Sequence, residues 1–434
     1  MVTSSRKPRI CLALPGIQYQ PRSPYVLSTL PMVPYLEKDF DITLVYRKVL
    51  DTSEADHIEH KYLTLVDPHT MSEREKLNTF SYCVPENYVA LWKCRRQIQE
   101  FAARHARDFD LVFEKEWPIL GAFSSAFGRY GVPTVILVEA MYKYPKAPQM
   151  SLAKKAASIG FQRLRPYLRE RWCDRVDSIV AETPEMKTFL QDYGYVKPAT
   201  PIYPIPYGVD PDTFAPRDRA QCRQELGIPQ DAYVLTYVGS LNRFIQEPAP
   251  ILEALGREKP ANVVLHVVGD GSKREELEAL ARQSGASAVF HGRLAQKEAA
   301  RYIGAADLTV APYNKYLYMA DQFTCASLKV PEYLSCGRPV LSIPCDRMET
   351  LLGGGQYGFL VGNDVEAYQQ FFRNLPSRET LHHMADQILR DIDNGTLKDR
   401  QILLRWWDIA DLYKQVFLET LERKQKSQSL GLAS

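Results

Sequence analysis

A chain of 434 residues is too long for one ordinary core, so two domains of about 200 residues each are the expectation. Its 45% hydrophobic content is that of a globular protein, and a net charge of +2 gives no general case for nucleic acid as a partner. Eight scattered cysteines without a Cys-x-x-Cys pair, and no apolar run near the roughly 18 residues of a membrane span, exclude a zinc site and a spanning helix and predict a cytoplasmic protein.

Arg9 to Pro15 reads as a short apolar strand, followed by a loop holding Gly16 and an apolar-periodic helix from about Pro24 to Leu36. Asp41 to Tyr46 is a second strand. The pattern then predicts a helix from Glu86 to Ala106, a strand from Asp110 to Glu114, a helix from Pro118 to Tyr130 and a strand from Pro133 to Val138. Ser178 to Ala181 is one more strand before a helix from Pro184 to Asp192. Strand and helix alternate, so the sheet is expected to be parallel.

The proline-rich stretch from Pro198 to Pro216 breaks both periodicities and has the look of an interdomain linker. The rhythm then restarts, with strands at Tyr233 to Val238, Val263 to Val268, Leu308 to Ala311, Val340 to Ile343 and Phe359 to Val361. Amphipathic helices such as Arg274 to Arg282 and Lys297 to Ile303 separate them. The fold class is therefore α/β, two Rossmann-like domains facing across a cleft at the carboxyl ends of their strands. The expected division is residues 1–205, residues 206–405, a C-terminal helix over 406–425 and a polar tail over 426–434.

Ser327 to Val340, SLKVPEYLSCGRPV, combines a carboxylate, a lysine and a helix start beside a short strand. Small residues from Cys325 to Leu328 can leave N–H groups free at that helix start, where phosphate is favoured. Pro331 is tolerated only near a helix start, and Glu332 in the first turn could hold two ribose hydroxyls or simply complement the helix dipole. In Val263 to Leu280, Gly269 and Gly271 flank Asp270 in a turn that admits a nucleotide or is a plain tight turn.

The ordered series YGVDPDTFAP, ELGIPQDAYVLTYVGSL, VVGDGSKREELE, FHGRL, YIGAADLTVAPY and KVPEYLSCGRPV resembles the C-terminal half of glycosyltransferase family 4 enzymes. These are retaining enzymes of the GT-B fold that use nucleotide-diphosphate sugars. The resemblance covers Pro206 to about Gly362, and WWDIADLY from Trp406 resembles the helix that returns to the first domain. It implies that Glu332 holds the ribose, that Gly239 and Gly271 line the nucleotide cleft, and that Ser327, Leu328 and Lys329 face the diphosphate or sugar. Ser240, Gly269, Asp270, Arg293 and Gly16 complete the donor-binding set. The donor is a substrate, with no bound cofactor and no metal.

The chain departs from the family pattern at three places. Thr324 stands eight residues before Glu332, where an acid is usual, and Ser240 and Ile245 replace an Arg and a Lys that would neutralise the diphosphate. Arg243 is the nearest substitute or a surface loop arginine, and Lys329 is a second substitute. On the acceptor side Glu116 and Glu139, each at a strand's carboxyl end, are candidates to accept a proton from a hydroxyl or are solvated loop acids; Glu114 lies beside them. Asp108-Phe109-Asp110 resembles a metal motif of the other major glycosyltransferase fold but falls at a helix-to-strand junction. Lys143 to Arg175 is basic and amphipathic, which fits an anionic membrane surface or a solvated helix face.

These features predict transfer of a sugar with retention to a hydroxyl of a glycan, lipid-linked or small-molecule acceptor, by a cytoplasmic protein that is peripheral at the inner membrane face. The alternatives are a non-catalytic nucleotide-sugar-binding or partner protein, and a GT-B enzyme that joins cyclitols or epimerises a sugar nucleotide.

Overall fold

A computed structural model of the chain describes residues 6–14, 28–46, 59–62, 85–115, 121–139, 176–192, 196–241, 246–318 and 321–429; at 59–62, 85–94 and 317 the backbone alone is described. The residues divide into two compact units. The first comprises Met1–Tyr207, Thr324–Ala326 and Trp406–Ser434, and the second Gly208–Phe323 and Ser327–Arg405.

The first unit holds a seven-stranded parallel sheet in the order β3-β2-β1-β4-β5-β6-β7. The strands are β1 (Arg9–Leu14), β2 (Asp41–Tyr46), β3 (Glu59–Tyr62), β4 (Leu111–Lys115), β5 (Thr134–Val138), β6 (Ser178–Ala181) and β7 (Ile202–Pro204). Ile10 pairs with both Ile42 and Leu111, which fixes β1 in the centre. Its residues Ile10 to Leu14 are all buried, which is why the strand reads as an unbroken apolar run rather than an alternation.

Aromatic residues weld the helices to this sheet. Phe101 of the helix Pro85–His105 lies 5.8 Å from Phe123, and Phe123 lies 5.0 Å from Phe127 within the helix Ala122–Gly128. The last helix, Trp406–Ser429, sets Tyr413 and Phe417 5.2 Å and 5.7 Å from Phe113.

The second unit has a six-stranded parallel sheet in the order β10-β9-β8-β11-β12-β13. Its strands are β8 (Tyr233–Val238), β9 (Val263–Val268), β10 (Ala288–Gly292), β11 (Leu308–Ala311), β12 (Val340–Ser342) and β13 (Gly358–Leu360). Leu252, Leu255, Leu277, Tyr368, Phe372 and Leu381 cover one face against Leu235 and Leu265. Cys222, Ile228 and Ala305 cover Val234 on the other. At the amino ends of the strands, buried Asp307 accepts from the Val234 N–H (2.7 Å) and pairs with Arg223 (2.7 Å) and Arg219 (2.8 Å), a neutralised structural charge.

Three strands depart from the sequence reading, which places none at β3. The stretch taken as a linker contains β7, which ends on Pro204; proline is tolerated there because β7 is an edge strand. The first three residues of FHGRL end β10, also an edge, whose half-exposed residues hide its period. No helix among the described residues is long and apolar enough to cross a membrane.

Candidate functional site

In an open parallel sheet ligands bind beyond the carboxyl ends of the strands, where the strand order reverses. In the second unit that point lies between β8 and β11. Gly239 follows β8 and donates its N–H to Val268 O (2.9 Å). Gly269 follows β9 with φ +147°, and a Cβ there would stand 1.8 Å from Gly239 O. A Cβ on Gly239 would in turn stand 2.7 Å from both Lys329 Nζ and Gln246 Oε1. Gly269 requires glycine because a neighbouring backbone already fills the space, while at Gly239 the heads of Lys329 and Gln246 and the Tyr237 hydroxyl would have to shift to admit a side chain.

Lys329 opens the helix Lys329–Ser335 and is only 6% exposed. Its Nζ has no hydrogen-bond or ion-pair partner among the described residues. It lies instead over two rings, 4.3 Å from the centroid of Tyr237 and 5.6 Å from that of Tyr313. Burial lowers its pKa to about 7, with the nearby Glu332 pulling the other way. Burial raises the Glu332 carboxyl to about 8 against the attraction of Lys329. No hydrogen bond from a described residue stabilises that carboxylate. A buried cation that meets only aromatic faces is costly, and an anionic ligand would complete it.

The walls are fixed by hydrogen bonds. The Tyr237 hydroxyl lies 2.5 Å from Gln246 Oε1 and 3.0 Å from Ser240 O. The Tyr313 hydroxyl is bonded to Ser327 Oγ (2.6 Å), which also accepts the Val330 N–H (3.1 Å). Tyr333 Oη accepts the Val238 N–H (2.8 Å).

The structure thus brings Gly239, Ser240, Ser327, Lys329 and Glu332 to the carboxyl-end region of the second sheet, with Leu328 immediately before the helix. Asp270 closes its own turn, accepting the Gly271 N–H (2.7 Å) and lying 3.5 Å from Arg274, so the Gly269 to Gly271 segment is at least a tight turn. Arg293 is exposed directly after β10. The expectation of free amides from Cys325 to Leu328 needs correction: the Ala326 N–H is taken by Glu182 Oε2 (3.0 Å), because an acid one residue beyond β6 reaches it. Thr324, where the family pattern has an acid, accepts from Thr183 Oγ1 at its carbonyl (2.9 Å). Gly16, Glu116, Arg243, Ile245 and the basic stretch Lys143 to Arg175 lie outside the described residues.

In the first unit Glu139 follows β5 and belongs to a cluster that sequence reading did not assemble. Lys115, the last residue of β4 and 0% exposed, pairs with Glu139 Oε1 (2.8 Å) and donates to Ser28 Oγ and Thr29 Oγ1 (3.0 Å). Tyr207 Oη lies 3.2 Å from Glu139 Oε1 and is bonded to Glu182 Oε1. The rule that selected Glu139, an acid at a strand's carboxyl end, selects Glu182 after β6 equally. Glu114 instead accepts the Ser124 N–H (2.7 Å) in the helix beside it. Asp110 accepts the Arg9 N–H (2.8 Å) and Asp108 pairs with His105 (2.7 Å), at the opposite ends of the strands from this cluster.

Two parallel sheets with glycine-lined, lysine-bearing strand ends define a two-domain protein of the GT-B class. The Glycosyltransferase Family 4 family matches residues 34–213, and the Glycosyl transferases group 1 family matches residues 232–376. Each half of the chain thus matches one glycosyltransferase family domain, an arrangement consistent with a family 4-like glycosyltransferase of the GT-B fold. It is 28% identical over 301 residues to the D-inositol 3-phosphate glycosyltransferase of Geodermatophilus obscurus, covering 65% of this chain and 63% of that protein. It is also 28% identical over 299 residues to the same-named protein of Streptomyces avermitilis, covering 64% and 60%. The match therefore spans less than two thirds of these relatives. Among solved structures, the sucrose-phosphate synthase of Thermosynechococcus elongatus superimposes with a TM-score of 0.70 at 18% identity, covering 95% of this chain and 100% of that one. Anabaena HepE in complex with UDP-glucose gives 0.66 at 15% identity, covering 95% and 100%. These two likenesses carry the fold.

Proposed function

We propose that the protein is a retaining glycosyltransferase that moves a sugar from a nucleotide-diphosphate sugar to a hydroxyl of a glycan, lipid-linked or small-molecule acceptor. The observation that carries this reading is Lys329, a buried cation without an anionic partner among the described residues, beside the point where the second sheet reverses its strand order. A diphosphate supplies the missing charge. Glu332, whose carboxylate takes no hydrogen bond from a described residue, holds the ribose hydroxyls. The relatives named glycosyltransferases support the transfer reaction, and the complex of HepE with UDP-glucose supports this class of donor.

In the reaction the bond between the sugar and the diphosphate breaks, and the acceptor oxygen attacks from the same face, which retains the configuration. Lys329 and Arg243 neutralise the charge that develops on the departing diphosphate. A diphosphate oxygen takes the proton of the reacting hydroxyl, so no enzyme nucleophile is required. Glu139 holds the acceptor through a further hydroxyl. The basic stretch Lys143 to Arg175 brings the protein to an anionic membrane surface at the cytoplasmic face.

Ser240, Ile245 and Thr324 favour a second reading, a GT-B protein that binds a nucleotide sugar without turning it over. Lys329 answers it by offering a cation where two usual ones are absent. A calorimetric screen against nucleoside diphosphates and nucleotide sugars tests both. Binding of one nucleotide followed by acceptor-dependent release of free nucleotide is the expected result. Binding without turnover selects the second reading, and no binding defeats both.

A further inference from the structure

Beyond β5, β6 and β7 the first unit joins two carboxyl groups through one phenol. Tyr207 Oη is within hydrogen-bond reach of Glu139 Oε1 (3.2 Å) and is bonded to Glu182 Oε1. Tyr207 keeps its single hydrogen, because burial and the two carboxyls push its ionisation well above the usual range. That hydrogen serves only one of the two contacts. The other needs a second hydrogen, which a carboxyl must supply.

The surroundings choose the carboxyl. Glu139 has the Lys115 ammonium at 2.8 Å and a side chain that is 15% exposed. Glu182 is 2% exposed and receives the Ala326 N–H on its other oxygen. Burial first, and then the charge of Glu139, raise its carboxyl to about 8 against the hydrogen bonds with Tyr207 and the Ala326 N–H and the charge of Lys115. Tyr413 of the last helix and Cys325 also face this cluster, and burial keeps Tyr413 neutral. One continuous chain of donors satisfies every contact: Glu182 O–H to Tyr207, Tyr207 O–H to Glu139, and Lys115 to the same Glu139 oxygen.

We propose that Glu182 is a positioning residue for the acceptor-side carboxylate: protonated, it donates to Tyr207, which donates to Glu139 Oε1 together with Lys115. Held in this way, Glu139 presents its Oε2, which has no partner among the described residues, to the hydrogen of a hydroxyl on a neutral part of the acceptor. This inference rests on the transfer reaction above for its acceptor, while the hydrogen-bond chain can be tested without it.

The test is a carboxyl-carbon NMR titration of the full chain carrying glutamate labelled at Cδ, in the parent protein and in E182Q, E332Q and Y207F. A signal with a midpoint near 8 that disappears in E182Q and survives in E332Q is expected, and in Y207F its midpoint moves. The idea is overturned if every signal removed by E182Q titrates in the ordinary carboxylate range, or if Y207F, which also serves should E182Q not fold, leaves the carboxyl spectrum unchanged.

Kinetics add a readout that a merely structural role would not move. Glutamine keeps the donor to Tyr207 at every pH. The acceptor KM of the parent protein should therefore rise roughly tenfold as pH passes through 8, and that of E182Q should stay flat. Equal rises in both would count against the proposal. Absence of any donor binding would defeat the transfer reading, and the carboxyl titration then decides the chain by itself.

Discussion

Each unit buries one lysine at the carboxyl ends of its strands, and the two are built in opposite ways. Lys115 ends β4, beside β1 where the first sheet reverses its order, and it is saturated: Glu139 at 2.8 Å, Thr29 at 3.0 Å and Ser28 account for its ammonium. Lys329 stands near the corresponding reversal of the second sheet, lies over the rings of Tyr237 and Tyr313, and has no hydrogen-bond partner among the described residues. Both are lysines on short apolar motifs, so residue type does not separate them. What separates them is whether the fold itself supplies the counter-charge. A saturated lysine orders its own surroundings, whereas one that lies over aromatic faces holds a charge to which no described residue gives a hydrogen bond or ion pair.

The largest expected effect comes from breaking the saturated site. K115M removes one partner of a buried pair and leaves Glu139 without its cation, which should lower stability by about 3–5 kcal/mol in a denaturant titration. A change within error would show that the pair is not part of the fold. K329M is the matched test. It removes a buried charge that has no hydrogen bond or ion pair among the described residues, and Glu332, whose carboxyl burial already raises to about 8, can take up a proton when that charge is lost; the denaturation midpoint should hold or rise while kcat falls by roughly 100- to 1000-fold. If K329M unfolded as easily as K115M, Lys329 would have a partner in the folded chain and the contrast would fail.

The sign of the pH effect on stability follows from the direction of the Lys329 shift. Its folded pKa of about 7 is below the ordinary 10.5, so between those values the unfolded chain holds more protons and stability rises with pH. The cost of burying the charge is full below about pH 7 and gone above the ordinary value. Any gain in stability from K329M should therefore be greatest on the acid side and vanish at high pH.

How much of this was legible in the sequence depends on where each residue sits. Tyr233 to Val238 and Val263 to Val268 are plain in the sequence because a central parallel strand is buried on both faces and shows as an unbroken apolar run. Among the edge strands, Ala288–Gly292 escapes because it is half exposed and Ile202–Pro204 because it ends on a proline, whereas Gly358–Leu360 is legible. The neighbourhood of Lys329 is readable because Ser327, Lys329 and Glu332 share one short motif. The cluster around Lys115 is not, since Lys115, Glu139, Glu182 and Tyr207 come from the ends of four strands and meet only after the sheet has formed. Nor does the sequence reveal that the Ala326 amide goes to Glu182, a partner 144 residues away.

Glu332 sharpens the comparison on the donor side with a smaller effect. E332A should weaken nucleoside diphosphate binding by roughly 1.5–3 kcal/mol through the lost charge-assisted bonds to the ribose, as read by calorimetry. An unchanged affinity would remove Glu332 from the site and leave Lys329 alone to carry the donor.

The smallest effect, a fraction of a proton, separates the two lysines most directly. At a pH just above 7 much of the Lys329 population is neutral, and a diphosphate that pairs with it favours the ammonium, so binding should take up protons from the buffer. Glu332 opposes this: its carboxyl is raised to about 8, and accepting ribose hydroxyls favours the ionised form, which releases protons. The two exchanges partly cancel in the parent protein. In E332Q only the lysine exchange remains, and the binding enthalpy should vary with the ionisation enthalpy of the buffer in the sense of uptake. The additional change K329M in that background should abolish the dependence. If uptake persisted without Lys329, the proton would be landing elsewhere, and the unpaired lysine of the second unit would have no more claim on the diphosphate than the saturated lysine of the first.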